Sequence, residues 1–453
     1  MITPIPALRD IAGPPGEPTP YDDVTRLRAY EQSGNSPAVL YLSLGETWIG
    51  PHPGLIDALH TAPRWSHGYA LTPFGWPVLR EALRDYITTS HRLGGHALGT
   101  DYDVSVSQGS TRATMPDFGR LLVDDEANAV RPGRLDRLRA LLPRTGARRR
   151  PIAISGSPGW DYAGALAPVG FEMRTYPLGR EHDYQPDITS VTEALQRARR
   201  DTTGPLLLVL NPQHNPTGSN WLPSVVRAMI RAAINVGAAL LIDDAYYGVH
   251  DPHVVPTSAL EILLAELTGL APEERPRWLA VRSLGKQFRC NGWGIGSLTA
   301  SPDILGHLAD RLTQRTYVNS GPIQHAMAAW LHDPRATEFL THQNQRYAAR
   351  RASVAQLLTD ELGYPADAYY AGETAGYMLM RVPPWVPSAE DFRALVLRRT
   401  GVLLGEAHMS SPGQRLESQQ GLVRLHIGAP DEVVIGALKA MSAAGLTWRA
   451  TWR

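Results

Sequence analysis

The stretch VRSLGKQFRCNGWGIGS, residues 281–297, joins two apolar runs of the chain. It contains Lys286, and the only other lysine is Lys439, although lysine and arginine together number 44. The apolar run RWLAVRSLG (277–285) ends directly before Lys286. In open α/β sheets, ligands bind beyond the carboxyl ends of the strands. If this run is such a strand, Lys286 lies where a functional side chain is expected.

Similar apolar runs recur along the chain and alternate with helical stretches. They are PIAISGS (151–157), PLLLVLNP (205–212), AALLIDDAYY (238–247), RWLAVRSLG (277–285) and GIGSLTA (294–300). Continuous apolar runs of this length, separated by helices, predict parallel strands that are buried on both faces. The predicted fold class is therefore α/β.

The chain is long enough for more than one domain, and its pattern changes after about residue 330. We expect residues 1–60 to form an N-terminal arm and part of a small domain. We expect residues 61–330 to form a large domain with a surface insertion at 124–150, and residues 331–453 to form a small α+β domain. The strand candidates of this last part are GYMLMRV (376–382) and GLVRLHIG (421–428).

Charge and cysteine content exclude several classes of protein. Lys plus Arg and Asp plus Glu number 44 each, which gives no indication of a nucleic-acid partner. The first residues lack the apolar core of a signal peptide, and no run approaches the roughly 20 apolar residues that span a bilayer. The single cysteine, Cys290, excludes an internal disulfide and fits a reducing compartment. We expect a cytoplasmic protein with a small-molecule substrate, no membrane partner and no metal site.

Polar, glycine and aromatic residues follow the predicted strands. These segments are Gly109-Ser110-Thr111, Ser157-Pro158-Gly159-Trp160, NPQHNPTG (211–218), Asp243-Asp244-Ala245-Tyr246 and Ser283-Leu284-Gly285-Lys286. A helix start with Ser and Thr hydroxyls binds phosphate, and a Trp stacks on a flat ring. An Asp pairs with a protonated ring nitrogen, and a lysine forms a Schiff base with a carbonyl. Together these groups predict a phosphorylated aromatic aldehyde, and pyridoxal 5'-phosphate has these parts.

At these motifs the sequence resembles the fold-type I pyridoxal-phosphate enzymes of aminotransferase class I/II. The resemblance extends from about Tyr41 to Gly428. It rests on HGYALTPFGWPVLREAL, QGST, NPQHNPTG, DDAYYG, SLGK and GLVRLHIG, in that order. It implies a large domain with a mostly parallel seven-stranded sheet flanked by helices, a smaller α+β domain, and a homodimer with shared active sites.

The resemblance also implies roles for individual residues. Lys286 is expected to hold the cofactor and to move the Cα proton, and Asp243 to keep the pyridine nitrogen protonated. Arg424 is expected to bind the substrate α-carboxylate through its planar guanidinium, with Gly45 close to it. The other cofactor contacts implied are Gly109, Ser110, Thr111 and Ser283 at the phosphate, Trp160 on the ring, Asn215 and the catalytic Tyr246 at the ring 3-oxygen, and Tyr69 at the partner subunit's phosphate.

An N-terminal segment is expected to close over the substrate. Glu46 and Trp48, together with His52, fall where relatives carry this segment, so they are candidates for contact with the distal part of the substrate. Simple packing is the alternative role for these side chains.

Two features depart from the family pattern. Relatives carry a phosphate-binding arginine eight residues after the lysine, where this chain has Gly294. Arg282 or Arg289 is a candidate substitute, and a loosely held cofactor or a larger substrate is the alternative. The motif NPQHNPTG is also one residue longer than usual, so Gln213 or His214 is a candidate to face the site, although a hydrogen-bonded loop histidine is the favoured role for His214.

The motifs leave the reaction open, because several reactions share the deprotonation of the substrate at Cα. Transamination of an α-amino acid is the first candidate. The alternatives are β- or γ-replacement or cyclisation in natural-product metabolism, with an S-adenosylmethionine-like substrate as one possibility. Amino-acid oxidation or hydroxylation and a non-catalytic regulator that binds pyridoxal phosphate complete the set.

Overall fold

The computed structural model describes residues 14, 16–19, 22–34, 38–45, 49–107, 109–129, 149–315, 320–407 and 421–450. Its strands are β1 Leu40–Leu42, β2 Asp103–Val106, β3 Ile152–Ser157, β4 Glu172–Pro177, β5 Leu206–Leu210, β6 Ala239–Asp243, β7 Trp278–Ser283, β8 Gly296–Ala300, β9 Tyr369–Tyr370, β10 Tyr377–Arg381, β11 Val402–Glu406 and β12 Leu422–His426. Its α-helices are α1 Asp22–Gln32, α2 Pro53–His60, α3 Pro77–Ser90, α4 Thr111–Ala129, α5 Tyr162–Leu166, α6 Ile188–Asp201, α7 Pro223–Asn235, α8 Ala259–Leu267, α9 Leu284–Phe288, α10 Pro302–Arg315, α11 Gly321–His332, α12 Pro334–Asp360, α13 Ala389–Thr400 and α14 Asp431–Ala443.

The larger sheet has seven strands in the order β2-β8-β7-β6-β5-β3-β4. The strands β7, β6, β5, β3 and β4 run parallel to one another. All residues of β5 and β6 are buried, as expected for central strands covered by helices on both faces. The predicted α/β fold with a mostly parallel seven-stranded sheet is confirmed.

The prediction of parallel strands is wrong for the run GIGSLTA. Its strand β8 pairs antiparallel with both β2 and β7. The connection from β7 to β8 contains the five-residue helix α9 and a short 3-10 turn at Asn291–Trp293. A five-residue helix rises only about 8 Å, which is too short to return the chain along a strand, so the chain reverses direction instead.

A second sheet has five strands in the order β1-β11-β12-β10-β9. The N-terminal strand β1 joins it by parallel pairing with β11, whereas the other pairs are antiparallel. The runs GYMLMRV and GLVRLHIG form β10 and β12, as predicted. The apolar faces of this sheet and of helices α12, α13 and α14 form a hydrophobic cluster separate from that of the larger sheet. The exact domain boundaries stay a prediction.

The predicted surface insertion at 124–150 begins inside a helix. Residues 124–129 are the last residues of α4, and 130–148 lie outside the described residues. Most of the predicted N-terminal arm also lies outside them. Of the helices within the described ranges, none has both the length and the apolar character needed to cross a bilayer.

Candidate active site

A cavity of about 300 Å³ lies where the carboxyl ends of the parallel strands meet the second sheet. It brings together residues that are far apart in the sequence. They are Leu44, Gly45, Ser110, Thr111, Arg112, Met115, Trp160, Asn211, Asn215, Asp243, Ala245, Tyr246, Ser283, Lys286, Tyr377 and Arg424. Ten of these were predicted as site residues from the sequence, so the strand-end segments converge as expected.

Lys286 reaches the cavity because β7 ends one turn before it. Ser283 is the last residue of β7 and the N-cap of α9, and Lys286 is the third residue of that helix. The neighbouring Gly285 packs closely: a Cβ added there would lie 3.0 Å from the Asn291 Cα. The backbone around the lysine is therefore fixed by close contact with the turn that follows it.

Asp243 is the last residue of β6, and only 6% of it is exposed. Burial raises the pKa of its carboxyl group to about 6, although the hydrogen bond from Tyr162 opposes this shift. The Tyr162 hydroxyl donates to Asp243 Oδ2 over 2.8 Å, and the Ala245 N–H donates to Oδ1 over 3.2 Å. A buried carboxylate with a raised pKa is stabilised by a cationic partner, such as a protonated ring nitrogen.

Arg424 enters the cavity from β12 of the second sheet and is 1% exposed. Its Nη1 donates to Asn215 Oδ1 over 3.1 Å, and its Nη2 donates to the Ser43 carbonyl over 2.9 Å. The Asn215 N–H in turn donates to Asn211 Oδ1 over 2.9 Å, and Asn211 Nδ2 donates to the Asp243 carbonyl over 2.6 Å. A chain of hydrogen bonds thus connects the guanidinium with the strand end that carries Asp243.

Tyr246 and Tyr377 form a hydroxyl pair in the cavity wall, with 2.6 Å between the two oxygens. Burial, and then the neighbouring Tyr377, hold the pKa of Tyr246 well above its usual value, so its hydroxyl stays protonated. The guanidinium of Arg424 lies 4.5 Å from the centre of the Tyr377 ring. Gly45 lies against this pair, since a Cβ there would be 2.3 Å from the Tyr377 hydroxyl oxygen. No larger residue fits at position 45 without movement of the pair.

The predicted phosphate loop lies at the start of α4. Gly109 has a φ of +94°, a conformation that favours glycine. Ser110 follows it, and Thr111 begins the helix. The first N–H groups of a helix lack carbonyl partners within the helix, so this end presents amide and hydroxyl donors together. Ser110 and Thr111 line the cavity, whereas Gly109, which precedes them, does not.

Some predicted residues are not brought to the cavity. Tyr69 is 73% exposed and lies outside it within this chain. Glu46 and Trp48 lie outside the described residues. His52 caps α2 by accepting from the Gly54 N–H over 3.0 Å, and its ring stacks on Trp330.

The additional residue of the motif NPQHNPTG does not face the site. His214 is 2% exposed, contacts Thr217 Oγ1 over 2.9 Å and stacks on Trp221. Gln213 is fully buried and donates to Asn220 Oδ1 and to the Thr257 carbonyl. Both candidates make local contacts instead, with Thr217, Asn220 and Trp221 of the following segment.

The sequence assigned no role to several residues that line or support the site, among them Asn211, Arg112, Tyr162 and Tyr377. Asn211 stands inside the motif NPQHNPTG, which could have indicated it, whereas Arg112 directly follows the motif QGST. Tyr162 follows Trp160 by two positions and holds Asp243. Tyr377 gave no signal, because its hydroxyl partner Tyr246 lies 131 positions away.

The residues present fit pyridoxal phosphate by the chemistry of their donors. The cavity holds an amine at Lys286, a buried carboxylate at Asp243 and an indole at Trp160. It also holds hydroxyl groups at a helix start, which suit an anion. These are the groups that an aldehyde, a ring nitrogen, a ring face and a phosphate require.

Comparison with known proteins identifies a family and several similar proteins. The sequence profile of the family described as aminotransferase class I and II matches residues 117–438. The probable N-succinyldiaminopimelate aminotransferase DapC of Mycobacterium tuberculosis is 28% identical over 213 residues, which is 46% of this chain and 49% of that protein. An LL-diaminopimelate aminotransferase of Methanocaldococcus jannaschii is 26% identical over 200 residues, 44% of this chain and 42% of that protein. The chain thus spans about half the length of these curated relatives or less.

Among solved structures, a double mutant of Thermus thermophilus aspartate aminotransferase superposes with a TM-score of 0.71. The sequence identity is 21%, and the superposition covers 97% of this chain and 99% of that one. At this level of identity the likeness concerns the fold alone, and it includes both sheets.

Proposed function

Because the chain belongs to the aminotransferase class I and II family, whose members use pyridoxal 5'-phosphate, we propose that it transfers the amino group of an α-amino acid to a 2-oxo acid. The main support is that one cavity joins Lys286, Asp243 and Arg424. These supply an amine, a buried carboxylate and a guanidinium suited to a carboxylate. The curated relatives are named aminotransferases, which favours transamination over replacement, cyclisation, oxidation and a regulatory role.

We assign a separate role in this reaction to each of three residues of the cavity. Bound pyridoxal phosphate supplies an aldehyde that captures the amino group and a ring that accepts electrons from Cα. We assign to Lys286 the covalent hold on the cofactor and then the removal of the proton from the substrate Cα. Asp243 holds a proton on the ring nitrogen, because a buried carboxylate stabilises a nearby cation. Arg424 orients the substrate carboxylate, and this fixes the Cα proton relative to Lys286.

The half-reaction tests the proposal. The protein loaded with pyridoxal phosphate is mixed with single amino acids, and the absorbance of the aldehyde form is followed. For the correct substrate, we expect that absorbance to disappear as the amine form accumulates, and a 2-oxo acid to restore it. Release of a leaving group from the amino acid without this reversible exchange would contradict transamination and support replacement.

The covalent anchor is tested with the two lysines of the chain. Borohydride reduction of the loaded protein, followed by peptide mass spectrometry, is expected to place the cofactor on Lys286. Lys439 lies exposed on α14 and provides the matched control. We expect Lys286→Ala to abolish the label and the half-reaction, and Lys439→Ala to leave both unchanged. A label on Lys439 in the native protein would refute the assignment.

We propose further that the enzyme is a homodimer in which Tyr69 reaches the partner's phosphate site. The support in this chain is a group of large apolar or aromatic side chains that are exposed close together in the sequence. Trp65 is 60% exposed, Tyr69 73% and Leu71 99%. Exposed apolar groups of this size commonly mark interaction sites. A cytoplasmic location stays a prediction, supported by the single, buried Cys290.

A further inference from the structure

The position at which relatives carry a phosphate-binding arginine lies beside the predicted phosphate loop. Gly294 has a φ of +58°, and a Cβ built on it would lie 3.4 Å from the Ser110 N and 3.5 Å from the Gly109 carbonyl carbon. A side chain from position 294 would therefore start directly at the loop. Because residue 294 is glycine, it supplies no positive charge to the phosphate.

The two arginines suggested by the sequence do not reach the cavity. Arg282 is 4% exposed and donates to Gln287, to Ser90 and to the Tyr86 hydroxyl. Arg289 donates to Gln343 Oε1 over 2.8 Å and lies over the Phe339 ring. Neither residue lines the cavity that contains Lys286.

Arg112 lies in the cavity wall beside Ser110 and Thr111. It is the second residue of α4, so its side chain starts at the phosphate loop itself. Its guanidinium carbon lies 4.6 Å from the centre of the Trp160 ring, and its Nη2 donates to Asp161 Oδ2 over 2.8 Å. The arginine is thus held from two sides, by the indole that faces the cavity and by a carboxylate.

The surroundings of Arg112 are built to hold it. Asp161 is also the N-cap of α5 and accepts from the Gly164 N–H over 2.7 Å, so its carboxylate is fixed. A Cβ at Gly164 would lie 2.5 Å from Arg112 Nη2 and 2.3 Å from Asp161 Oδ2. A larger residue at position 164 would therefore displace the Arg112–Asp161 ion pair. A guanidinium has five N–H groups, and the bond to Asp161 uses one of its nitrogens.

We propose that Arg112 is the cationic ligand of the cofactor phosphate, in place of the arginine that relatives carry at the position of Gly294. This inference rests on the proposed function, since it assigns a residue to the same cofactor. The side chain of Arg112 is 39% exposed, so solvent weakens the contact relative to a fully buried one. The contact nevertheless joins a dianion to a fixed cation at a helix start, where all nearby donors favour negative charge.

The test compares two ligands that differ only in the phosphate. Cofactor-free protein is titrated with pyridoxal phosphate and with pyridoxal, and the absorbance of the covalent complex at Lys286 gives both Kd values. For Arg112→Gln, we expect the Kd of pyridoxal phosphate to rise roughly tenfold to a hundredfold, the range for a lost charge-assisted hydrogen bond. We expect the Kd of pyridoxal to stay unchanged. Arg112→Lys should fall between the two proteins, because it keeps the charge but loses the planar fork.

Arg120→Gln is the matched control, because Arg120 lies exposed on the same helix. We expect it to bind both ligands as the native protein does. Equal weakening of both ligands by Arg112→Gln would show a general structural effect and overturn the proposal, as would unchanged binding of both. If the proposed function itself were wrong, the native protein would form no complex at Lys286, or amino acids would not convert the bound aldehyde to the amine form.

Discussion

At the scale of single residues, Asp243 carries a charge that the cofactor-free protein stabilises poorly. Burial raises the pKa of its carboxyl group from 3.8 to about 6. The folded state therefore binds this proton more tightly than the unfolded state, and the contribution of Asp243 to stability falls as pH rises through about 6. As the pH rises from 5 to 8, we expect the unfolding free energy of Asp243→Asn to increase by on the order of 1 kcal/mol relative to that of the native protein.

Urea unfolding of both cofactor-free proteins at the two pH values measures this difference. Asp244 and His91 also have shifted pKa values: that of Asp244 is raised, and that of His91 is lowered. Both residues are present in the two proteins. The charge of Asp243 contributes to the raised pKa of Asp244, so the measured difference also includes the change in the Asp244 titration when Asp243 is replaced. A parallel pH dependence in the two proteins would show that Asp243 does not carry the raised pKa. Addition of the cofactor should reduce the difference, because a nearby cation stabilises the carboxylate.

Residue types at the strand ends, together with the family resemblance, predicted ten of the side chains that meet in the cavity, but not how they are oriented. Ser110, Asp243, Ser283 and Lys286 stand at or just beyond strand ends, and parallel strands present these ends at one edge. Arg112 was overlooked, because an arginine in the first turn of a helix is usually a solvated side chain. Only its neighbours in space, Trp160 and Asp161, distinguish it.

At the scale of elements, β12 brings the predicted substrate-binding arginine from the second sheet into the cavity. Arg424 is paired in register with Gly405 of β11 and with Leu379 of β10. Gly405 leaves space for the guanidinium, since a Cβ there would lie 3.1 Å from Arg424 Nε. The register of these three strands therefore fixes the position of the Arg424 guanidinium in the cavity.

Replacement of Arg424 by Lys keeps the charge and removes the planar fork that binds a carboxylate at two points. We expect the KM for the amino acid to rise roughly tenfold or more, from the loss of about 1.5 to 3 kcal/mol. The absorbance of the bound cofactor should change little. Arg381→Lys, at an exposed position of β10 in the same sheet, is the control and should leave KM unchanged. An unaltered KM in Arg424→Lys would remove Arg424 from the carboxylate site.

The order of elements follows from the hydrophobic pattern, whereas strand direction depends on connections that the pattern does not reveal. The apolar runs at β3, β5, β6 and β7 are separated by helices long enough for parallel crossovers, and these strands are parallel. The run at β8 is also buried but follows a short helix, so it is antiparallel. Connection length would have indicated this strand correctly.

At the scale of the whole molecule, the exposed segment around Tyr69 gives the test of the proposed homodimer. Leu71 is 99% exposed, and a second copy that covers it would remove its apolar surface from water. We expect the native protein to sediment as a dimer and Leu71→Glu to shift it toward monomer, because a buried carboxylate without a partner is costly. Leu222→Glu is the matched control, since Leu222 is 54% exposed at the start of α7.

A shared active site also predicts that the binding of pyridoxal phosphate depends on the dimer. If Tyr69 of one subunit reaches the phosphate site of the other, Tyr69→Phe should leave the dimer intact. It should weaken the binding of pyridoxal phosphate by roughly tenfold and leave the binding of pyridoxal unchanged. Leu71→Glu should also weaken the binding of pyridoxal phosphate, because the monomer lacks the tyrosine of the partner subunit. Both effects are read by sedimentation and by cofactor titration on the same samples. A native monomer with full affinity for pyridoxal phosphate would contradict the shared site, since one chain would then hold the phosphate alone.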